Sequence, residues 1–288
     1  MIHAAFHTLA WGLIVVLIWA SFNEAPPAPR GPLAAIASLD ESTYLAVHKS
    51  DGVPVLGLLR AHSDAVHYRS LSFNDWEGAL SGGVLAACGV PRYHGEVLAL
   101  VANGRERRLV HVQLRNWGKT PKFAVLGATE VAEPWLSMAC GVASDHSMAV
   151  WGLHADTGEL RSAHWAVPSY QLDIDEGSVG VPKDWLAALN AGRQAALYAS
   201  EDAFWLALVD DAGSEILGWK ASEPQWRPVY RIDGYSVTGL AAGPEGKGVS
   251  IVTGDTGMGS TWRPLPWPAN SEARQIGPWR TQALPVLP

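Results

Sequence analysis

The sequence contains one short stretch twice, as Ala87-Cys88-Gly89-Val90 and as Ala139-Cys140-Gly141-Val142, and the two copies lie 52 residues apart. A histidine follows each copy at the same offset, His94 after the first and His146 after the second. Five matching positions at one spacing indicate an internal repeat. Each copy is apolar and short, as expected of a buried β-strand.

The repeat extends from Tyr44 to Trp262, where an apolar strand, a polar turn, a second strand, an Asp/Asn/Gly turn and a third strand recur five times. Five residue pairs mark the third strands at spacings of 44, 53, 54 and 43 residues: His67-Tyr68, His111-Val112, His164-Trp165, Gly218-Trp219 and Thr261-Trp262. A period of about 40 to 55 residues is typical of a four-stranded propeller blade. The sequence therefore predicts an all-β fold, a β-propeller of about five four-stranded blades.

Turn chemistry and alternating apolar residues give the predicted strand positions. The predicted strands are, for blade one, 44–48, 53–59 and 66–73; for blade two, 84–90, 96–101, 109–114 and 123–127; for blade three, 135–142, 148–153, 160–167 and 170–174; for blade four, 194–199, 204–209, 215–221 and 228–232; and for blade five, 236–242, 248–252 and 261–265. A helix is predicted at Pro182–Asn190, and Thr281–Leu287 is predicted to close the ring against blade one.

Composition excludes several classes of protein. The 288 residues include 29 Gly, 19 Pro and 14 Trp but only 17% charged residues, which fits a turn-rich β protein and not a disordered or coiled-coil chain. The net charge of −7 argues against nucleic-acid binding, which needs a clustered basic face. The one basic cluster, Arg105, Arg107 and Arg108, follows the Asn103-Gly104 turn and is interpreted as a solvated hairpin end.

The N-terminal segment predicts a membrane anchor. No Asp, Glu, Lys or Arg occurs between Ile2 and Asn23, and Leu9 to Phe22 is almost wholly apolar. About 20 helical residues cross the roughly 30 Å of hydrocarbon in a bilayer. A cleaved signal peptide is the alternative, but its basic residue and favourable cleavage site are missing. We expect an uncleaved transmembrane signal-anchor at 1–23, a Pro-rich linker at 24–37 and the propeller at 38–288, on the periplasmic or extracellular side of the membrane.

One hairpin resembles a known repeat. The residues Thr253-Gly254-Asp255-Thr256-Gly257, followed by Thr261-Trp262, resemble the Asp-box of sialidase-type propellers, with two extra residues in the turn. Degenerate copies pair Asp156 with Trp165 and Asp211 with Trp219. The resemblance implies that these Asp side chains bond turn amides and that Trp165, Trp219 and Trp262 pack at equivalent places inside their blades. It implies a fold and not a reaction.

Other motifs are weaker. Tyr230-Arg231-Ile232-Asp233 resembles the sialidase segment that supplies a substrate arginine, but the family's proline is missing and the segment follows blade four. Cys88 and Cys140 occupy equivalent strands of neighbouring blades, so two buried free thiols are expected in preference to a disulfide. The recurring histidines (His67, His94, His111, His146 and His164) are interpreted as structural, and the acidic loop from Asp173 to Asp184 as solvated, so no metal and no cofactor are expected.

The functional prediction is a membrane-anchored, extracytoplasmic propeller that acts as a binding or assembly module, or an extrinsic subunit, of a membrane protein complex. Five tryptophans outside the repeat positions are expected to contact its protein partner, because tryptophan dominates interface energetics: Trp76, Trp117, Trp226, Trp267 and Trp279. No residue is predicted to be catalytic. The alternative is a glycan-binding or glycan-hydrolysing, sialidase-like propeller, for which facing carboxylates in a central cleft would be the sign.

Overall fold

The computed structural model describes residues 33–276, apart from short segments at 41–42, 49–54, 63–64, 72–79, 81, 92, 117–121, 143–147, 167–170, 175–178, 192, 194, 201–202, 209–212, 234–235, 243–248, 256–258 and 269–272. The predicted anchor (1–23), most of the predicted linker and the predicted closing strand (281–287) lie outside these residues. No helix among the described residues has the length and apolar character needed to cross a bilayer.

The described chain forms five β-sheets, as the repeat predicts. Blade one contains β1 (Leu33–Ser38), β2 (Thr43–His48), β3 (Val55–His62) and β4 (Ala65–Leu71). Blade two contains β5 (Val84–Gly89), β6 (Glu96–Asn103), β7 (Glu106–Arg115) and β8 (Lys122–Glu130), and blade three contains β9 (Trp135–Val142), β10 (Met148–His154), β11 (Leu160–Ala166) and β12 (Gln171–Ile174). In each of these blades the strands pair in sequence order and antiparallel.

Blades four and five complete the ring. Blade four contains β13 (Ala195–Ala199), β14 (Phe204–Leu208), β15 (Gly213–Trp219) and β16 (Arg227–Asp233), and blade five contains β17 (Ser236–Ala242), β18 (Val249–Asp255) and β19 (Gly259–Leu265). A last strand, β20 (Arg274–Ile276), returns to blade four and pairs parallel with β16. The helix α1 (Lys183–Asn190) lies between blades three and four, with Pro182 at its N-cap.

The first strand of each blade lies nearest the axis. β1 packs beside β5, β5 beside β9, β9 beside β13 and β13 beside β17, and β17 packs beside β1. The ring is therefore closed by β1 and β17. Residues 33–37, expected in the Pro-rich linker, instead form most of β1 (Leu33–Ser38).

Apolar side chains fill the spaces between blades. One cluster joins blades one and two, a second joins blades two and three around Trp135 and Trp165, a third joins blades three and four with Trp185 of α1, and a fourth joins blades four and five around Trp205 and Tyr230. In blade two, β6 contributes Val97, Ala99 and Val101 to one interface and Leu98 and Leu100 to the other, which is the reason for the alternating pattern in its sequence.

Candidate functional site

A narrow cavity lies on the axis of the ring. All five innermost strands line it, with Ile36, Ala86, Ser137, Ala196 and Leu240 among the lining residues. Its volume of about 20 Å³ compares with the roughly 10–15 Å³ that one water molecule needs on the same measure. The cavity is therefore too small for a sugar ring.

The innermost strands carry no acidic, basic or histidine side chains. Their sequences are LAAIAS, VLAACG, WLSMACGV, AALYA and SVTGLAA, without Asp, Glu, Lys, Arg or His. Glycosidases place two carboxyl groups on either side of the scissile bond. These five strands supply neither a carboxylate pair nor a base for the buried hydroxyl of Ser137.

Two carboxylates near the start of β9 share one arginine. Arg161 lies 2.9 Å from Glu159 and 3.8 Å from Glu133. The indole Nε1 of Trp135 donates to Glu133 at 3.1 Å, and Arg107 Nε of blade two donates to the carbonyl of Trp135 at 3.2 Å. Arg161 and the Trp135 indole thus contact the two carboxylates, and Arg107 connects the group to blade two.

A buried polar group lies between blades two and three. His111 Nε2 and Glu96 Oε2 are 2.9 Å apart, and Gln113 donates to the other oxygen of Glu96 at 3.0 Å. The edge of the His111 ring meets Trp165 with 6.3 Å between ring centroids. Burial lowers the pKa of His111 below its ordinary value, and Glu96 opposes this shift only in part. The side chain of His111 is 2% exposed and thus unavailable to a ligand.

Cys88 and Cys140 form a disulfide, and the prediction of two free thiols was wrong. The prediction assumed that equivalent strands of adjacent blades stand further apart than the roughly 7 Å between Cα atoms that a disulfide allows. However, Cys140 belongs to the cluster between blades two and three, and Cys88 packs against that same cluster. The two side chains therefore face each other across one interface, and their Cα atoms are 5.6 Å apart, within the range that a disulfide requires.

The repeat histidines whose side chains the structure describes differ in their burial. His111 is buried, whereas His94 and His164 are exposed. His67 lies on β4, and His146 lies outside the described residues. Within the described part of the chain no group of three His, Cys, Asp or Glu side chains could hold a metal ion. Asp173 of the acidic loop lies on the outer strand β12.

The Asp-box residues are only partly described. Asp156 is exposed. The resemblance implies that its side chain accepts hydrogen bonds from the turn amides, but the amides of Asp156 and Thr157 donate to His154 Nδ1 instead, at 3.2 and 3.4 Å. Asp255 ends β18 and pairs with Gly259, and Asp211 lies outside the described residues. Arg231 of the sialidase-like segment lies on the outer strand β16, where it pairs with Glu215 at 3.0 Å, away from the axis.

The three repeat tryptophans lie on third strands, but their registers differ. Trp219 pairs with Phe204, the first residue of β14, and the register of β10 and β11 places Trp165 beside Met148, the first residue of β10. Trp262 instead pairs with Val252, in the middle of β18. The side chain of Trp262 lies outside the described residues, so the equivalence of the three indoles stays a prediction. Trp165 is buried and Trp219 is half-buried.

Of the five tryptophans predicted to contact a partner, the structure describes two. Trp226 is 3% exposed and packs in the core between blades three and four, so the prediction of a contact surface was wrong for this residue. Trp267 is half-buried. Trp76, Trp117 and Trp279 lie outside the described residues.

Trp267 forms a surface with two cations. Lys220 Nζ lies 4.7 Å and Arg227 Cζ 5.2 Å from a ring centroid of Trp267, while Trp205 meets the ring edge-on at 4.9 Å. Gly218 makes room for the indole, because a Cβ at this position would meet Trp267 at 2.7 Å. We call Trp267, Lys220 and Arg227 the Trp267 surface. Sequence reasoning missed the two cations, although they flank the turn between β15 and β16.

The comparisons with known proteins concern the fold. No protein-family model matches the sequence, and no curated protein matches it. Among solved structures, a GH43_1 enzyme from Xanthomonas citri has a TM-score of 0.56 at 11% identity, over 90% of this chain and 95% of the other. An endo-arabinase from Bacteroides thetaiotaomicron has a TM-score of 0.52 at 10% identity, over 85% and 97% of the two chains.

A bifunctional GH43-CE protein from Bacteroides eggerthii has a TM-score of 0.53 at 14% identity; the match covers 86% of this chain but only 34% of that protein. At such low identity these likenesses show the β-propeller architecture alone.

Proposed function

We propose that the chain is a glycan-binding propeller that does not hydrolyse its ligand. The observation that carries the proposal is the chemistry of the innermost strands, which keep the architecture of a glycoside-hydrolase propeller but contain no carboxylate. The similar solved structures include an endo-arabinase, which supports a glycan as the ligand class. The small volume of the axial cavity favours recognition at the surface of the ring.

The Trp267 surface is the best candidate for the contact. Its indole offers a large, rigid apolar ring, and Lys220 and Arg227 lie over that ring, with Arg227 also paired with Glu223 at 3.3 Å. An aromatic ring next to two cations suits a sugar with an apolar face and a carboxylate. The expected ligand is therefore an acidic oligosaccharide.

Titration calorimetry with an oligogalacturonate and a neutral arabino-oligosaccharide would test the proposal. We expect the acidic ligand to bind more tightly and to lose affinity as salt is added. Trp267→Ala should weaken binding at least about tenfold, and Lys220→Gln with Arg227→Gln should remove the preference for the acidic sugar. The matched control is Tyr93→Ala, which removes an aromatic ring that is 60% exposed on blade two.

Three outcomes would contradict this function or its proposed site. Release of reducing ends from either oligosaccharide by the purified chain would establish hydrolysis. Absence of binding to both ligands, or equal binding by the wild-type chain and Trp267→Ala, would remove the Trp267 surface as a glycan site. Circular dichroism of each variant separates loss of binding from loss of fold.

We propose, in addition, that the propeller lies outside the cytoplasm behind the expected anchor at 1–23. The disulfide between Cys88 and Cys140 supports this location, because disulfides persist in oxidising compartments. The expected protein partner in a membrane complex stays a prediction, and copurification of the full chain in mild detergent would test it.

A further inference from the structure

Glu223 holds the turn between β15 and β16, which carries both cations of the Trp267 surface. Its backbone N–H donates to the carbonyl of Lys220 at 2.8 Å, and its own carbonyl accepts a hydrogen bond from Nε1 of Trp219 at 2.9 Å. Both contacts use the main chain of Glu223, so a substitution of its side chain leaves them in place. The carboxylate therefore acts through contacts of its own.

The carboxylate of Glu223 lies beside one of the two cations over the indole. Its Oε1 is 3.3 Å from Nε of Arg227, and the side chains of Glu223 and Arg227 are only 27% and 22% exposed. The other oxygen, Oε2, is buried and has no hydrogen-bond partner among the described residues. Because water has little access to this pair, the negative charge of Glu223 is only weakly screened from its surroundings.

Three charges therefore lie together at Trp267. Lys220 and Arg227 lie over the indole, and Glu223 lies beside Arg227. A ligand carboxylate that approaches Arg227 would be attracted by the two cations and repelled by Glu223, because like charges at short distance oppose binding. Repulsive groups of this kind let a binding site discriminate between similar ligands.

We propose that Glu223 is a specificity-determining residue of the Trp267 surface. This inference rests on the proposed glycan site and deepens it: the two cations select acidic sugars, and Glu223 limits how strongly they do so. A neutral glycan that stacks on the indole does not meet the repulsion. Removal of the charge at position 223 should therefore strengthen the binding of an acidic glycan and leave the binding of a neutral glycan unchanged.

Titration calorimetry of Glu223→Gln in the full chain tests the effect of the charge. Glutamine has the length of glutamate, and its side-chain carbonyl can still accept the hydrogen bond from Arg227 Nε. At about 0.15 M ionic strength we expect Glu223→Gln to bind oligogalacturonate about two- to fivefold more tightly than the wild-type chain. Its affinity for the neutral arabino-oligosaccharide should not change. Glu223→Asp keeps the charge and should keep the wild-type ratio of the two affinities.

Glu215→Gln is the matched control. Glu215 of β15 pairs with Arg231 of β16 at 3.0 Å, so this variant removes the same charge from a similar pair on the same two strands. Glu215 lies about 13 Å from the end of β15 along the strand. This distance exceeds the screening length of about 8 Å at the ionic strength of the experiment. We expect Glu215→Gln to bind both oligosaccharides as the wild-type chain does.

The results distinguish the role of Glu223 from the glycan site itself. If Glu223→Gln binds oligogalacturonate no more tightly than the wild-type chain, or if Glu215→Gln gains as much, the role of Glu223 is overturned and the glycan site stands. Absence of binding to both ligands by the wild-type chain overturns both proposals. Thermal unfolding checks the fold of each variant, and Glu223→Ala, which removes the same charge, repeats the comparison with a second side chain.

Discussion

Cys88 of β5 and Cys140 of β9 are joined by a disulfide that connects the innermost strands of two neighbouring blades. The bond spans 52 residues of sequence, so it restricts the unfolded chain while it fixes blade two against blade three next to the axis. The same interface contains the buried aromatic rings of Trp135 and Trp165, and His111 meets Trp165 there edge-on.

Reduction of this bond should destabilise the protein. For a closed loop of this length the chain-entropy estimate is about 4 kcal/mol. We expect the midpoint of denaturant unfolding to fall when reductant is added, and Cys88→Ala/Cys140→Ala to match the reduced protein. Equal midpoints with and without reductant would show that the bond contributes no stability.

Stability should depend on pH through His111. Because burial holds the pKa of His111 in the folded chain below 6.5, the unfolded chain takes up a proton first as the pH falls. His111 should therefore leave the free energy of unfolding unchanged above about pH 6.5 and should lower this free energy as the pH falls below about 6.5. Thermal unfolding between pH 5 and 8 should show that His111→Gln loses less stability on acidification than the wild-type chain does. His164→Gln, which removes an exposed histidine, is the control and should keep the wild-type slope.

Gly152 should not tolerate a side chain. A Cβ at this position would lie 2.0 Å from the ring of Trp135, which is fully buried. We expect Gly152→Ala to cost about 1–3 kcal/mol or more by overpacking. Gly180→Ala, whose Cβ would meet nothing nearer than 4.0 Å, is the matched control. In the double variant Gly152→Ala/Trp135→Leu, the leucine is smaller than the indole and should relieve the clash with the new Cβ at position 152. The double variant should therefore lose less unfolding free energy than the sum of the losses in the two single variants.

Truncation should distinguish the linker from the ring. Removal of residues 1–32 leaves β1 intact, and we expect a folded domain that is released from the membrane. Removal of residues 1–38 deletes β1 with its buried Ile36 and Ala37 and opens the ring between β5 and β17. The longer truncation should be readily proteolysed. A stable product from it would show that β1 is dispensable, and membrane retention of the shorter one would contradict the anchor.

Much of the fold could be predicted because each hairpin is local in sequence. The turns at Asn103-Gly104 and Asp156-Thr157-Gly158 and the alternation around them locate the strands of blades two and three to within a few residues. β1 could not be located in this way. It follows a proline-rich segment, has no turn signal before it, and is stabilised by packing against strands that come later in the chain.

The candidate sites were harder to predict than the strands. The disulfide depends on the direction in which each cysteine side chain points from its innermost strand. Cys88 of blade two points towards blade three, and Cys140 of blade three points towards blade two, although the two stretches have the same sequence. The Trp267 surface forms because the chain returns to blade four after β19. This return places the indole of Trp267 next to Lys220 and Arg227. Neither relation is encoded by local periodicity.

The closing contact between β1 and β17 also has a consequence for how the protein folds. Within the described blades, hydrogen-bonded strand pairs join segments that are adjacent in sequence, with β16 and β20 as the exception. Such pairs form early because little chain entropy is lost, whereas β1 and β17 must meet across nearly the whole domain. We therefore expect ring closure to be the slow, late step of folding, and a chain interrupted during synthesis before β17 to remain an open arc of blades.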